Sequence, residues 1–252
     1  MNRFALDQRV AIVTGGGTGI GRGCALVLAE HGADIVLAGR RREPLEQTAK
    51  EIEALGRRAV VVPTDVTDVG QCARLVETTV AELGRVDILV NNAGGASTKP
   101  MDEWTEDDWH HVLDLNIGSV WFLSRLAVKP MLEKGKGAIV NISSGSAFFG
   151  FPMGAPYGAA KAAVNNLTMS MAAAWTPRGV RVNTVASGAV RTDMLLEDSK
   201  RFGVDEKTLG AGNAMGRIGE PDEIGYAVLF FASDASSYCS GQSLWVNGGP
   251  KG

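Results

Sequence analysis

The sequence predicts an α/β domain built as a doubly wound, all-parallel sheet of about seven strands with helices on both faces. Three observations predict it. Short β-branched runs alternate with helix-length amphipathic segments along almost the whole chain. Most of those runs are apolar throughout, not every second residue, which is the pattern of strands covered on both faces. The first run leads directly into a glycine cluster that opens a helix.

The strands are expected at residues 10–13, 35–37, 60–62, 88–90, 139–142, 180–185 and 244–246, and the helices at 22–30, 44–55, 71–83, 107–132, 157–175 and 221–232. Such alternation implies right-handed crossovers between parallel neighbours. Thr105 and Asp108 have the spacing of a capping box ahead of Trp109. Pro221 suits a first helical position, with Asp222 and Glu223 at the positive end of the helix dipole. Pro177 and Gly179 should stop the helix that carries Tyr157, and Pro130 should kink or end the one that contains it. Residues 194–215 fit no element; the stretch is mixed and contains Gly203, Gly210 and Gly212, and it reads either as a lid or as surface padding.

Composition narrows the function classes. The chain has 252 residues, 45% hydrophobic and 21% charged, so one large domain can bury a core without staples. With 25 basic and 28 acidic side chains the net charge is −3, too balanced for a nucleic-acid or anionic-membrane partner. No apolar run approaches a membrane span and no secretory signal is visible. Cys24, Cys72 and Cys239 are too few and scattered for a disulfide framework, which suits a reducing compartment, so the cytoplasm is expected. His31, His110 and His111 lack metal-ligand spacing, and no metal is expected.

The glycine cluster is Gly15-Gly16-Gly17-Thr18-Gly19-Ile20-Gly21. Glycine permits positive φ and a close backbone approach to a pyrophosphate, while the free N–H groups of the following helix hold the anion. The spacing Gly15-x-x-x-Gly19-x-Gly21, followed by Asn91-Asn92-Ala93-Gly94 and then Tyr157-x-x-x-Lys161, resembles the short-chain dehydrogenase/reductase family, its 3-oxoacyl-(acyl carrier protein) reductase-like members in particular. The resemblance runs from Val10 to Gly249. It implies a Rossmann-like fold, a nicotinamide dinucleotide, and exchange of a hydride with a ketone or secondary alcohol.

Tyr157 and Lys161 stand one helical turn apart and share a face. An ammonium ~4 Å from a phenolate at an effective dielectric of ~20 is worth ~4 kcal/mol. That attraction is enough to lower a phenol by about three pH units, toward neutral operation as an acid or base. The resemblance implies Ser144, thirteen residues before Tyr157, as the hydroxyl that bonds the substrate oxygen; Ser143 and Ser146 lie nearby. It likewise implies Asn116 as holder of a water that links Lys161 to solvent, against the alternative that Asn116 bonds its own helix backbone. For the dinucleotide it implies Gly15, Gly17, Thr18, Gly19, Ile20 and Gly21 at the pyrophosphate, Asp65 and Val66 at the adenine, Asn92, Ala93 and Gly94 at the ribose, and Val190 and Thr192 at the nicotinamide. One departure is Ser187-Gly188, where the family carries Pro-Gly.

An acid at the end of the second strand would select NAD. Here that strand ends in Gly39, followed by Arg40 and Arg41, whose guanidinium groups suit a 2′-phosphate, so NADP is expected, with NAD as the alternative. Thr18 stands where a basic NADP marker is often found in the family. Phe148, Phe149, Phe151 and Met153, with Gly95 and Ala96, suggest an apolar substrate cleft, or core and subunit contacts. The small residues Gly158, Ala159, Ala160, Ala162 and Ala163 allow close helix packing, and the resemblance implies a homotetramer through this helix and 107–132. A non-catalytic dinucleotide sensor is the rival of another class, and an epimerase or dehydratase is a third reading. Retention of Tyr157, Lys161 and Ser144 favours chemistry, and little chain follows Gly249 for an added substrate region.

Overall fold

In the computed structural model, which describes residues 2–250, seven strands form one sheet. They are β1 (Val10–Thr14), β2 (Asp34–Gly39), β3 (Ala59–Pro63), β4 (Ile88–Asn91), β5 (Gly137–Ser144), β6 (Val180–Ser187) and β7 (Ser243–Val246). All neighbours pair in parallel, in the order β3-β2-β1-β4-β5-β6-β7. Alternate side chains of β1 enter opposite layers. Ala11 and Val13 pack with α1 (Gly19–Glu30) and α2 (Arg42–Ala54), and Val10 and Ile12 with α3 (Val69–Leu83). This two-sided burial is why the run is continuously apolar.

The fourth crossover is less regular than its pattern. The helix expected over 107–132 is α4 (Glu106–Leu113), a π turn (Asp114–Gly118) and α5 (Ser119–Lys134). The Thr105–Asp108 capping box starts α4 as expected. Pro130 does not end α5, which continues to Lys134 and stops at left-handed Gly135, φ +68°. Buried Ala127, Val128 and Met131 hold the helix against the sheet on both sides of the missing N–H, so packing overrides the local breaker.

Helix α6 (Ala155–Trp175) ends ahead of Pro177 and Gly179 as expected. Residues 194–215, which fit no element in the sequence, are largely helical. α7 (Asp193–Phe202) is capped by Thr192 and closed by Gly203, and α8 (Glu206–Gly210) is capped by Asp205. Both helices are short, so the caps carry a signal that periodicity does not. α9 (Pro221–Ala232) returns across the α1 face. Among the described residues no helix is long and apolar enough to cross a membrane.

The N-terminal edge of the sheet is held by buried aspartates. Asp87 accepts from Val10 N at 2.9 Å, Arg85 Nε at 2.6 Å and Lys134 Nζ at 2.6 Å, joining β1, β4 and α5. Asp34 does the same for Arg57 and Arg58, each at 2.7 Å. Burial alone would raise the Asp87 carboxyl; the Arg85 and Lys134 bonds outweigh it and leave the group below its ordinary 3.8. The stabilisation is therefore complete above the ordinary value and is lost as pH falls through the folded one. Asp87→Ala should lower unfolding free energy by about 2 kcal/mol, since its partly exposed cationic partners can rehydrate. Urea denaturation measures this, and the deficit should shrink toward pH 2. Turnover should persist, because the site lies at the other edge of the sheet.

Candidate active site

The strand order reverses between β1 and β4, and a crevice opens beyond their C-terminal ends, where ligands bind in open α/β sheets. The two loops that leave these strands are fastened together by Thr14. Its hydroxyl accepts from Asn92 N and Ala93 N, each at 2.9 Å, and donates to Val90 O at 3.3 Å. Asn92 Nδ2 returns a bond to Thr14 O at 2.8 Å. Gly15 turns the chain with φ +66°, and a Cβ on Gly21 would stand 2.1 Å from the Gly15 carbonyl oxygen, so the loop and α1 close on each other only as glycines. Thr18 begins α1 without a side-chain cap, and the first turn has no acidic residue. By contrast, α3, α4 and α7 are each capped by a side chain. The first N–H groups of α1 are thus available to an anion, as a dinucleotide pyrophosphate requires.

Two adjoining cavities flank this helix end. One, of about 570 Å³, is bordered by Gly17, Arg40, Asp65 and Val66; the other, of about 430 Å³, by Gly19, Ile20, Asn92, Ser144, Tyr157, Lys161, Val190 and Thr192. Gly15, Thr18, Arg41, Ala93 and Gly94 border both. Arg40 and Arg41 are exposed, and a Cβ on Gly39 would lie at an ordinary 3.5 Å from Leu45, so the missing acid is not a steric necessity. The Asp65 carboxylate is engaged by Thr67, through its N–H at 3.0 Å and its hydroxyl at 2.8 Å; these bonds, and more weakly the Arg40 charge, hold it below the usual range. Gly21 and Asn116 border neither cavity and act from behind.

Lys161, 4% exposed, extends its ammonium to Ile142 O at 3.0 Å and lies 5.5 Å from the centre of the Tyr157 ring. Burial lowers Lys161 to about 8. The Tyr157 phenol is raised, by burial first, against a lowering bond with the Ser144 hydroxyl. In the chain by itself the phenol thus stands above its ordinary value, not below it as the Lys161 charge led one to expect, because removal from water outweighs the Ser144 bond. Ser144 ends β5, where its Oγ accepts from Ser146 N at 3.2 Å and contacts Ser146 Oγ at 3.3 Å, which orients it. Asn116 lies in the π turn, fully buried. Its Nδ2 donates to Gly95 O at 2.9 Å and to Val112 O at 3.0 Å, and its Oδ1 accepts from Gly95 N at 3.2 Å. It thus bonds its own helix and also clamps the loop after β4. A Cβ on Gly94 would meet Asn116 Oδ1 at 2.7 Å and Lys161 Nζ at 3.3 Å, so both polar groups converge there. Thr192 is committed to capping α7 through Leu195 N at 3.2 Å.

Other residues border or brace the site without a role assigned to them from the sequence. The Ser143 hydroxyl bonds Lys161 O at 3.1 Å, and Ser187, opposite Ser144 in the sheet register, borders the reaction cavity with Met194 and Glu197. Thr14 alone had a legible signal, as the hydroxyl immediately before the glycine cluster. The aromatic run after Ser144 does not border the reaction cavity; Phe148 packs against Trp245 with ring centres 4.2 Å apart and planes tilted by 49°, and Phe149 faces a third cavity that adjoins the reaction cavity along Gly188, Ala189 and Val190.

A family model described as enoyl-(acyl carrier protein) reductase matches residues 15–251. Gluconate 5-dehydrogenase of Gluconobacter oxydans is 37% identical over 249 residues, covering 98% of this chain and 96% of that protein. A 3-oxoacyl-(acyl carrier protein) reductase of Thermotoga maritima is 35% identical over 244 residues, covering 97% and 98%. The solved 7α-hydroxysteroid dehydrogenase, complexed with NADH and 7-oxo glycochenodeoxycholic acid, matches with a TM-score of 0.93 at 34% identity, covering 98% of this chain and 96% of that one. With its sheet order, glycine loop and Ser144–Tyr157–Lys161 cluster, the chain belongs to the short-chain dehydrogenase/reductase family, oxidoreductases that act on alcohol and carbonyl groups with a nicotinamide dinucleotide.

Proposed function

We propose that the protein is an NADP(H)-dependent oxidoreductase for an apolar ketone or secondary alcohol, with Tyr157 as the proton donor and acceptor. The observation that carries this reading is Lys161. It is a buried cation with no carboxylate partner among the described residues, in one cavity with Tyr157 and Ser144. A charge held out of water without a counter-ion is costly and marks a functional group.

A bound nicotinamide supplies or accepts the hydride. The chain's own residues manage the oxygen and its proton. Ser144 Oγ hydrogen-bonds the substrate oxygen. Tyr157, kept protonated at neutral pH by its raised pKa, donates to that oxygen in reduction, and Lys161 stabilises the phenolate left behind. In oxidation the phenolate takes the alcohol proton. Asn116 fixes the loop at Gly95, and its Oδ1 keeps a lone pair beside Lys161 for a water that leads to solvent. The uncapped start of α1 holds the pyrophosphate. Arg40 reads the 2′-phosphate, and Arg41, which borders both cavities, assists.

Residues 194–216 act as a lid. Its base is tied by Arg191 N to Gly219 O at 2.8 Å, and its far end by Ala214 N to Gly249 O at 3.2 Å, with α7 and α8 between. A homotetramer through α4, α5 and α6 would cover Trp109, Trp121, Phe122 and Met169, all exposed in the single chain. The free cysteines suit a reducing compartment, and we place the protein in the cytoplasm.

Tyr157→Phe should lower kcat for ketone reduction about a thousandfold, the scale of general acid catalysis. Dinucleotide binding, followed by fluorescence, should remain; full turnover in this variant would remove the proposed role of Tyr157, whereas dinucleotide binding with no turnover by the wild type would leave a sensor. Arg40→Asp should move the NADPH over NADH preference in kcat/KM toward NADH by about a hundredfold, the worth of two charge-assisted hydrogen bonds. Lys161 binds a proton below about pH 8 in the folded chain but up to its ordinary 10.5 when unfolded. Its burial penalty is therefore complete below pH 8 and relieved as pH rises to 10.5. Lys161→Met should be inactive yet more stable than the wild type at pH 7, with the gap in unfolding free energy closing across that window.

A further inference from the structure

A further cavity, of about 520 Å³, opens at the other end of the sheet, beneath the starts of β1, β4, β5 and β6 and beside the turn after α9. The cations Arg9, Arg85, Lys136 and Arg181 border it, with the carboxylates of Asp7, Asp87 and Asp234. Lys134 adds a fifth cation, bound to Asp87. Five positive groups thus share three negative ones, in a chain whose net charge is −3. The local excess is opposite in sign to the charge of the whole protein, so composition does not account for it.

The carboxylates are divided and do not cancel the excess. Asp87 is shared by Arg85 and Lys134, and Asp234 by Arg9 at 2.7 Å and Lys136 at 3.1 Å. Arg181 forms no ion pair among the described residues. Its Nη1 donates to Ser236 Oγ at 2.8 Å and Cys239 O at 3.3 Å, and its Nη2 to Ser233 O at 2.9 Å, all neutral acceptors. Burial first, and the Arg9 charge as well, lower the Arg181 guanidinium from its ordinary value, against the pull of Asp234. Donors are left over. Arg85 spends Nε and Nη2 on Asp87, and its Nη1 has no acceptor among the described residues. The same is true of Arg181 Nε, and Lys136 spends its ammonium on Asp234 alone. Gln8 also borders this space, and its side chain makes no hydrogen bond among the described residues. At φ +62° it is the one non-glycine residue among them with a left-handed backbone, a conformation kept only where the surroundings hold it.

We infer that this cavity is a binding site for a small multivalent oxyanion, a phosphate or a polycarboxylate, held among Arg181, Arg85 and Lys136. A guanidinium presents paired N–H groups that match two oxygens of either anion. A halide has a single centre and cannot bridge the separate cations. Occupancy supplies the charge that Arg181 lacks and fastens the starts of four strands that come from distant parts of the chain. The site is remote from Tyr157 and Lys161, and its effect is on stability, because a ligand that binds only the folded chain shifts the folding equilibrium toward it.

The test is calorimetric titration of the full-length protein with inorganic phosphate and, separately, with citrate. Saturating NADPH fills the dinucleotide cavities, and about 0.15 M potassium chloride screens diffuse attraction. At least one of the two anions should bind once per chain with Kd near about 1 mM, and the tighter of them tells whether phosphate or polycarboxylate is the preferred source. Lys136→Gln should weaken that binding about fivefold, and Arg181→Lys, which keeps the charge but loses the planar fork, about tenfold. Lys50→Gln, which removes an exposed lysine of α2, should leave it unchanged. The bound anion should also raise the Tm of the wild type by roughly 4 °C when saturating, and by clearly less in Arg181→Lys, which separates site binding from general salt effects. No saturable binding of either anion overturns the inference. So does binding that Lys136→Gln and Arg181→Lys leave as tight as in the wild type, or that Lys50→Gln weakens as much as they do. If Arg181→Lys does not fold, the exposed Lys136→Gln decides against the Lys50→Gln control.

Discussion

The site depends on keeping one ammonium group out of water. Lys161 has lost its hydration, and the carbonyl of Ile142 replaces only part of it. A carboxylate beside it would remove the cost, but would also neutralise the charge that the proposed proton exchange at Tyr157 uses. The surrounding architecture is organised around carrying that cost. Ser143 holds the Lys161 backbone, Asn116 clamps the neighbouring loop, and α6 presents lysine and tyrosine to one cavity.

Beneath this cavity the sheet and helices are joined by a buried polar layer rather than by packing alone. Asn91 donates to Ser124 Oγ at 2.9 Å and to Asn141 Oδ1 at 2.8 Å, Asn141 donates to Thr168 Oγ1 at 2.8 Å, and Thr184 reaches the same threonine at 2.8 Å. The chain of bonds ties β4, β5 and β6 to α5 and α6. Hydrogen bonds have narrow geometry, so such a layer fixes the register of the strand ends that carry Ser144 and the loop after β4. The opposite edge of the sheet is held by ion pairs on Asp34 and Asp87. Stability and chemistry thus occupy opposite ends of the same strands.

Charge is handled differently in the three cavities at the C-terminal ends of the strands. Arg40 and Arg41 stand exposed beside the glycine loop, Lys161 is buried next to Tyr157, and Arg217 is paired with Glu223 at the border of the third. The same residue class is thus left open, buried or paired according to whether its partner is solvent, a carbonyl or a carboxylate.

The fold and most of the site were legible in the chain itself, because local constraints write them. Two-sided burial makes apolar runs, a close approach of loop and helix demands Gly15 and Gly21, and one helical turn separates Tyr157 from Lys161. Asn116 was legible as a residue, but its π turn was not, since its bonds to Gly95 join segments far apart in sequence. The direction of the Tyr157 shift, the continuation of α5 through Pro130 and the helices within 194–215 were also decided only in three dimensions. The first follows from the amount of water excluded, the second from packing on both sides of the proline, and the third from end caps on helices too short to show periodicity. Sequence spacing specifies which groups can meet along one element; desolvation and contacts between elements decide what they become once they have met.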